Sequence, residues 1–192
     1  MCGRPCRAWL CPHVAEIDGN SAPRLQGLAP HVFADTRLLV LGSFPGVASL
    51  QAQAYYGHPQ NQFWRLLGES LGLALASAGY AERLALLQQA GVGLWDVIQT
   101  TQRRGSLDSD IRNPEASDLL GLIEARLPRL RAIAFNGGTA ARLGLRQLGD
   151  QAGRWRIHAL PSSSPAYTLS YAKKLAVWAQ LGPSLQAPMG DT

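Results

Sequence analysis

Long apolar runs, internal repeats and closely spaced cysteine pairs are all missing from this 192-residue sequence. The apolar runs, such as residues 38–41 and 84–87, fall far short of the roughly 20 residues that cross a bilayer, so we expect no membrane segment. No continuous apolar stretch follows the basic N-terminus, which predicts a cytoplasmic protein without a secretory signal. Glycine and proline follow no period, which excludes a collagen-like chain.

Cysteine is scarce, and Cys2, Cys6 and Cys11 all precede the first predicted element. An odd number excludes a fully paired disulfide framework. Together with His13 they contain the residue types of a Cys3His metal site, but no pair has the Cys-x2-Cys spacing usual in such sites. We therefore predict no metal and no cofactor.

Lysine is nearly missing as well, since only Lys173 and Lys174 occur among the 18 basic residues. The net charge of +5 and the pI near 9.5 are compatible with a polyanionic partner. Compositional bias toward arginine explains the same values, so charge alone does not decide the function class.

The sequence contains short apolar runs that alternate with segments of helical spacing, within a length that suits one domain. The predicted strands are residues 37–43, 92–97, 132–135 and 155–160, and the predicted helices are residues 63–71, 81–89, 116–126, 138–147 and 169–181. This alternation predicts an α/β fold, a three-layer αβα arrangement with a short, mostly parallel central sheet of about four strands. We assign residues 28–181 to this domain, between a flexible arm (residues 1–27) and a flexible tail (residues 182–192).

Polar loops follow the predicted strands, at residues 42–46, at Asp96, at residues 136–138 and at residues 161–165. The carboxyl ends of parallel strands meet at one edge of a sheet, where ligands bind, so we expect a site there. Tyr55, Tyr56 and Asn61 follow the first loop. They either contact a ligand or, alternatively, cap the core and the next helix.

Four motifs, in this order, resemble the uracil-DNA glycosylase superfamily, and its hypoxanthine-DNA (deoxyinosine) glycosylase branch in particular. They are Gly-Ser-Phe-Pro-Gly at 42–46, Tyr-Tyr-Gly-His-Pro-Gln-Asn-Gln-Phe-Trp at 55–64, Gly-Val-Gly-Leu-Trp-Asp at 91–96 and Leu-Pro-Ser-Ser-Ser-Pro-Ala-Tyr at 160–167. The resemblance implies a monofunctional hydrolase of base excision repair. Such an enzyme flips a deaminated base, here hypoxanthine, out of DNA and cleaves its N-glycosidic bond with a positioned water. The implied partner is double- or single-stranded DNA, with no membrane partner, and we expect a monomer.

The resemblance also implies roles for the residues that bind the base. Most of the superfamily has Asp or Asn at the third position of the first motif, where this sequence has Phe44, and the hypoxanthine branch uses Asn61 as the catalytic residue instead. Tyr56 corresponds to the residue that stacks on the base, with Tyr55 as an alternative, and Ser43 and Phe44 complete the base-binding set.

Asp96 stands where uracil-specific relatives have an Asn that reads the pyrimidine. An ionised carboxylate accepts a hydrogen bond from hypoxanthine N1–H and repels the bare N1 of adenine, which gives a chemical reason for selectivity. The alternative is that Asp96 ties down the following loop through backbone amides.

The predicted DNA contacts are Ser162, Ser163, Ser164 and Pro165, as a backbone clamp, and His58, Arg103 and Arg104, near phosphates. Asp108 and Asp110 are expected to order the loop that contains the two arginines. The alternative for the serine segment is an ordinary surface loop.

Three other functions stay open from the sequence. A uracil or mismatched-pyrimidine glycosylase is disfavoured by Phe44 and by Leu160, which stands where uracil-specific relatives have His or Asn. A non-catalytic binder of damaged DNA and an enzyme that acts on free deoxyinosine are the others.

Overall fold

The computed structural model describes residues 23–186. The residues of the Cys3His metal site that the sequence analysis considered lie outside the described residues. They are Cys2, Cys6, Cys11 and His13. The elements in chain order are β1 (Arg24–Gln26), β2 (Leu38–Gly42), α1 (Val47–Ala52), α2 (Phe63–Leu71), α3 (Tyr80–Ala90), β3 (Val92–Asp96), β4 (Ile98–Gln102), β5 (Arg112–Ala116), α4 (Leu119–Arg126), β6 (Ala132–Asn136), α5 (Gly138–Leu148), β7 (Arg156–Leu160), α6 (Tyr171–Trp178) and α7 (Gly182–Gln186).

The central sheet has four parallel strands in the order β3-β2-β6-β7, which confirms the predicted α/β fold. Every residue of β2 is buried, because this strand is paired on both sides and covered on both faces. Alternate residues of β2 point to opposite faces. Leu38 and Val40 belong to one hydrophobic core, and Leu39 and Leu41 to the other.

Helices cover both faces of the sheet and complete three layers. The first core includes apolar residues of α2, α3 and α6, and the second includes those of α4 and α5. Helix α2 buries Phe63, Trp64, Leu66 and Leu67 against the first core, as its apolar spacing predicts. The strand register aligns Gly42 with Asp96 and so brings the carboxyl ends of β2 and β3 to one edge.

A second, three-stranded antiparallel sheet in the order β1-β4-β5 was not predicted. It follows directly on the main sheet, since only Val97 separates β3 from β4. The predicted helix over residues 116–126 starts later than expected, because Ala116 ends β5 and the Asp118 side chain caps α4 at Gly121 N. The loop between β4 and β5 reaches the carboxyl edge of the main sheet, where Ser43 Oγ bonds Asp108 Oδ1.

The folded part extends into both segments that we expected to be flexible. Strand β1, within residues 1–27, pairs with β4. Helix α7, within residues 182–192, buries Ser184 against His158, with 2.8 Å between the hydroxyl and Nε2, and Arg37 binds the Leu185 carbonyl. None of the helices in residues 23–186 is long and apolar enough to cross a bilayer.

Candidate active site

A pocket of about 560 Å³ opens at the carboxyl edge of the parallel sheet. Loops after all four strands contribute to its lining, as the topology predicts. Its lining includes the predicted residues Ser43, Phe44, Tyr56, His58, Asn61, Asp96, Ser162, Ser163, Ser164 and Pro165. The structure therefore brings together ten of the twelve residues that sequence reasoning selected.

Asp96 lies at the end of β3 and is only 5% exposed. Its register partner Gly42 has no side chain, and a Cβ at that position would collide with the Asp96 carboxylate and approach the Tyr56 hydroxyl to 3.2 Å. The backbone carbonyl of Asp96 accepts from Ser117 Oγ at 2.7 Å. Within residues 23–186, Asp96 Oδ2 is buried without a hydrogen-bond partner. Oδ2 therefore makes no bond that would tie down the following loop.

The surroundings of Asp96 disfavour its charged form. Burial and the negative charge of Asp108 raise its pKa to about 7, and the positive charge of Arg103 opposes this rise only in part. Near neutral pH the pocket thus holds a carboxyl group that exists in both protonation states.

Tyr56 and Tyr55 have different environments. The Tyr56 ring stacks on Phe63, with 3.4 Å between the ring centroids and 10° between the planes, and its φ of 53° lies in the left-handed region. Burial, followed by the charge of Asp96, raises the pKa of the Tyr56 hydroxyl. Tyr55 is buried, and its hydroxyl donates to the Ala29 carbonyl at 2.8 Å. Tyr55 is thus tied into the protein, and the stacking of Tyr56 on a base stays a prediction.

Asn61 lies at the pocket and also at the start of α2. Its Oδ1 accepts from the backbone N–H of Phe63 at 3.0 Å, and its own N–H donates to the His58 carbonyl at 2.9 Å. The helix-capping alternative is therefore observed. Because Oδ1 serves the helix, the orientation of the amide is fixed and Nδ2 is the end that can donate to a ligand.

The serine loop, residues 161–165, is held by the neighbouring strand and helix. Ser163 is fully buried and exchanges two hydrogen bonds of 2.8 Å with the Asn136 side chain. The expected phosphate contact of the Ser163 side chain is contradicted, because its hydroxyl points into the protein. Ser162 and Ser164 are partly exposed and Pro165 is exposed, so the clamp role stays a prediction for these three.

Lys174 of α6 is buried behind this loop. Its ammonium donates to Gln62 Oε1 at 3.0 Å and to the Ser164 carbonyl at 3.4 Å. Desolvation lowers the pKa of this amine. Lys174 therefore joins the Asn61 segment to the serine loop, a role that its place in the last predicted helix did not indicate.

Arg103 does not contact phosphates as we expected, because it is only 3% exposed. Its guanidinium lies 5.0 Å from the centre of the Phe44 ring and donates to the Pro45 carbonyl. Arg103 thus packs against the first loop and holds it through the Phe44 ring and the Pro45 carbonyl. Arg104 is exposed, and its phosphate contact stays a prediction.

Asp108 also lines the pocket, which the sequence did not indicate. Ser43 Oγ donates to Asp108 Oδ1 at 2.6 Å, although 65 residues separate the two along the chain. No signal in the sequence distinguishes Asp108 from Asp110, since both are acidic residues of one polar loop. Within residues 23–186, no cluster of three His, Cys, Asp or Glu side chains could hold a metal ion.

Comparison with known families agrees with this geometry. The family model of the uracil DNA glycosylase superfamily matches residues 30–182. The chain belongs to this superfamily. The matched segment includes every strand of the parallel sheet and all four loops of the pocket.

Two relatives in this superfamily carry the name hypoxanthine DNA glycosylase. The protein of Methanosarcina barkeri is 36% identical over 157 residues, which cover 81% of this chain and 96% of the relative. The protein of Methanosarcina acetivorans is 42% identical over 134 residues, which cover 69% of this chain and 81% of the relative.

A solved structure shares the superfamily fold. It is the solution NMR structure of a candidate uracil DNA glycosylase from Methanosarcina acetivorans, at 35% identity and a TM-score of 0.74. The similarity covers 86% of this chain and 100% of that chain.

Proposed function

We propose that this superfamily member is a DNA glycosylase that releases hypoxanthine from deoxyinosine in DNA. The observation that carries the proposal is the buried Asp96 carboxyl in one pocket with Tyr56 and Asn61. The names of the two relatives, at 36% and 42% identity, support the same base.

Recognition of the base rests on the Asp96 carboxylate. Asp96 lines the pocket, and its Oδ2 makes no hydrogen bond to residues 23–186, so this carboxylate can pair with a donor on a bound ligand. Hypoxanthine presents N1–H as that donor, whereas adenine presents a lone pair at N1. An ionised Asp96 therefore favours the deaminated base over the normal one.

Stacking and water positioning complete the reaction site. Phe63 supports one face of Tyr56, and the base stacks on the other, a contact worth about 1–3 kcal/mol. The bond from Phe63 N–H to Asn61 Oδ1 fixes the amide, and Nδ2–H donates to the oxygen of the attacking water. An amide is too weak a base to take the proton, so Asn61 orients the water.

The DNA backbone lies along the serine loop. Ser162, Ser164 and Pro165 are exposed to different degrees at the pocket, and the chain has a net charge of +5. Hydroxyls and a stiff proline suit contacts to phosphates next to a flipped nucleotide. We propose that the protein acts as a monomer on single lesions.

The test measures base release from duplexes that each contain one hypoxanthine, uracil, xanthine or mismatched thymine. We expect release of free hypoxanthine by the wild type and at least about 100-fold less by Asn61→Ala, which keeps DNA binding. Preferred release of uracil would instead favour a uracil glycosylase. Tight binding without release of any base would identify a non-catalytic binder.

The role of Asp96 is tested separately through pH and the Asp96→Asn variant. Because the pKa of Asp96 is about 7, its acceptor form dominates above neutrality, and discrimination between hypoxanthine and adenine should fall as the pH drops from 8 to 6. Asp96→Asn should have low discrimination at both pH values. Unchanged selectivity in this variant would exclude Asp96 as the residue that reads the base.

A further inference from the structure

The loop between β4 and β5 delivers a carboxylate to the pocket. Asp108 Oδ1 accepts from Ser43 Oγ at 2.6 Å, and Ser106 Oγ accepts from Val47 N–H at 3.0 Å. Arg103, at the start of the same loop, donates to the Pro45 carbonyl. Three bonds therefore hold this loop against the first motif and the residue that follows it, and Asp108 lines the same pocket as Asn61 and Asp96.

Hydrolysis needs a group that takes a proton from the attacking water, and the three pocket side chains differ in this respect. Asn61 is an amide, and its Oδ1 is already bonded to Phe63 N–H. Asp96 is buried, and the proposed function already assigns its carboxylate to N1–H of the base. Asp108 is exposed at the pocket, and the bond from Ser43 uses only one of its two carboxylate oxygens.

We propose that Asp108 is a catalytic residue that accepts the proton of the attacking water, which Asn61 orients. This inference rests on the proposed glycosylase function and adds a residue to it. The water oxygen forms a bond to C1′, and its proton passes to the Asp108 carboxylate. The C1′–N9 bond breaks with its electron pair going to the purine, which takes one proton from solvent. Water is the only co-reactant.

The charge of Asp108 has opposite effects on catalysis and on DNA binding. A carboxylate near the sugar stabilises the positive charge that develops at C1′ as the bond breaks. The same charge at the mouth of a DNA-binding pocket repels phosphates and weakens binding. If Asp108 is catalytic, removal of its charge should therefore slow the reaction and strengthen DNA binding.

The variant that separates these effects is Asp108→Asn. Its Oδ1 still accepts from Ser43 Oγ, so the loop stays anchored while the charge is lost. We expect a single-turnover rate of base release about 100-fold or more below that of the wild type, which is the usual effect of a general base. The Kd for DNA with an uncleaved lesion should stay equal or become lower.

Two control variants test whether the loop anchor or the local charge explains the result. Ser106→Ala removes the loop's bond to Val47 N–H but keeps the Asp108 carboxylate, and Asp110→Asn removes the same charge elsewhere on the loop. Both should stay within about tenfold of the wild-type rate. An equal loss in Ser106→Ala and Asp108→Asn, or a weaker DNA affinity in Asp108→Asn, would show that Asp108 only anchors the loop and would overturn the proposal.

The comparison is made on whichever lesion the wild type releases fastest. If the wild type releases hypoxanthine and Asp108→Asn matches its rate, the inference about Asp108 fails while the proposed function stands. If another base is released and Asp108→Asn is slow, the hypoxanthine assignment fails while the inference stands. If no base is released, both fail.

Discussion

Gly42 leaves the space that the Asp96 carboxylate occupies. The two residues are register partners on β2 and β3, and a Cβ on Gly42 would collide with Asp96 Oδ1. The glycine of the first motif thus leaves room for a buried carboxyl group from the neighbouring strand.

Gly42→Ala is expected to displace Asp96 and to lower the single-turnover rate of hypoxanthine release about 100-fold, since small misplacements in a reaction site have effects of this size. Gly79→Ala is a matched control, because no atom lies within 4 Å of a Cβ built there and its φ is −68°. In an Asp96→Ala background, Gly42→Ala should cause little additional loss. Fully additive losses would show that Gly42 acts independently of Asp96.

The raised pKa of Asp96 predicts how stability depends on pH. Between the ordinary value of 3.8 and about 7, the folded state holds a proton that the unfolded chain has lost, so the free energy of unfolding falls as the pH rises through this window. Above pH 7 the lost free energy of unfolding approaches about 4 kcal/mol. Asp96→Asn should therefore stabilise the protein more at pH 8 than at pH 5. Denaturant midpoints that shift equally at both pH values would contradict the raised pKa.

Two substitutions separate the helix-capping role of Asn61 from its role toward water. Asn61→Ala removes the acceptor for Phe63 N–H and should lower the free energy of unfolding by about 1 kcal/mol, as for other lost caps. Asn61→Asp keeps that acceptor and should keep the stability. Both variants lack the amide donor, so both should lose base release at least about 100-fold. Wild-type rates in Asn61→Asp would show that the amide donor is dispensable.

The adjacent residues Arg103 and Arg104 should respond differently to substitution by alanine. Arg103→Ala removes a buried side chain under Phe44 and Pro45 and should destabilise the fold by about 2 kcal/mol or more. Arg104→Ala should change the free energy of unfolding by less than about 0.5 kcal/mol. It should reduce the slope of DNA affinity against salt concentration by about 1, the value for one lost phosphate contact. Thermal unfolding and DNA titrations at several salt concentrations measure both effects.

The parallel sheet could be predicted because its strands are buried on both faces and its helices are amphipathic. The helix predicted over residues 63–71 has the bounds observed for α2, since its apolar spacing is regular and Gly72 ends it in the left-handed region. Strand β5, with the sequence Arg-Asn-Pro-Glu-Ala, is fully exposed and contains a proline. Its pairing with β4 depends on tertiary contacts and leaves no periodic signal.

The pocket followed from the strand ends, but the environments of its charged residues did not. Arg103 and Arg104 are equivalent in the sequence, yet one lies under the first loop and the other on the surface. Likewise, Asp108 lies beside Ser43, 65 positions away along the chain, because of how the loop between β4 and β5 folds back. Such contacts are decided by three-dimensional packing, which residue type alone does not specify.

The position of Lys174 has a consequence for the growing polypeptide. Its ammonium joins Gln62, beside the reaction site, to Ser164, and it belongs to the last long helix of the domain. During translation almost the whole domain must be synthesised before these two hydrogen bonds can form. Incomplete translation products that end before α6 therefore lack the contact that joins the Asn61 segment to the serine loop.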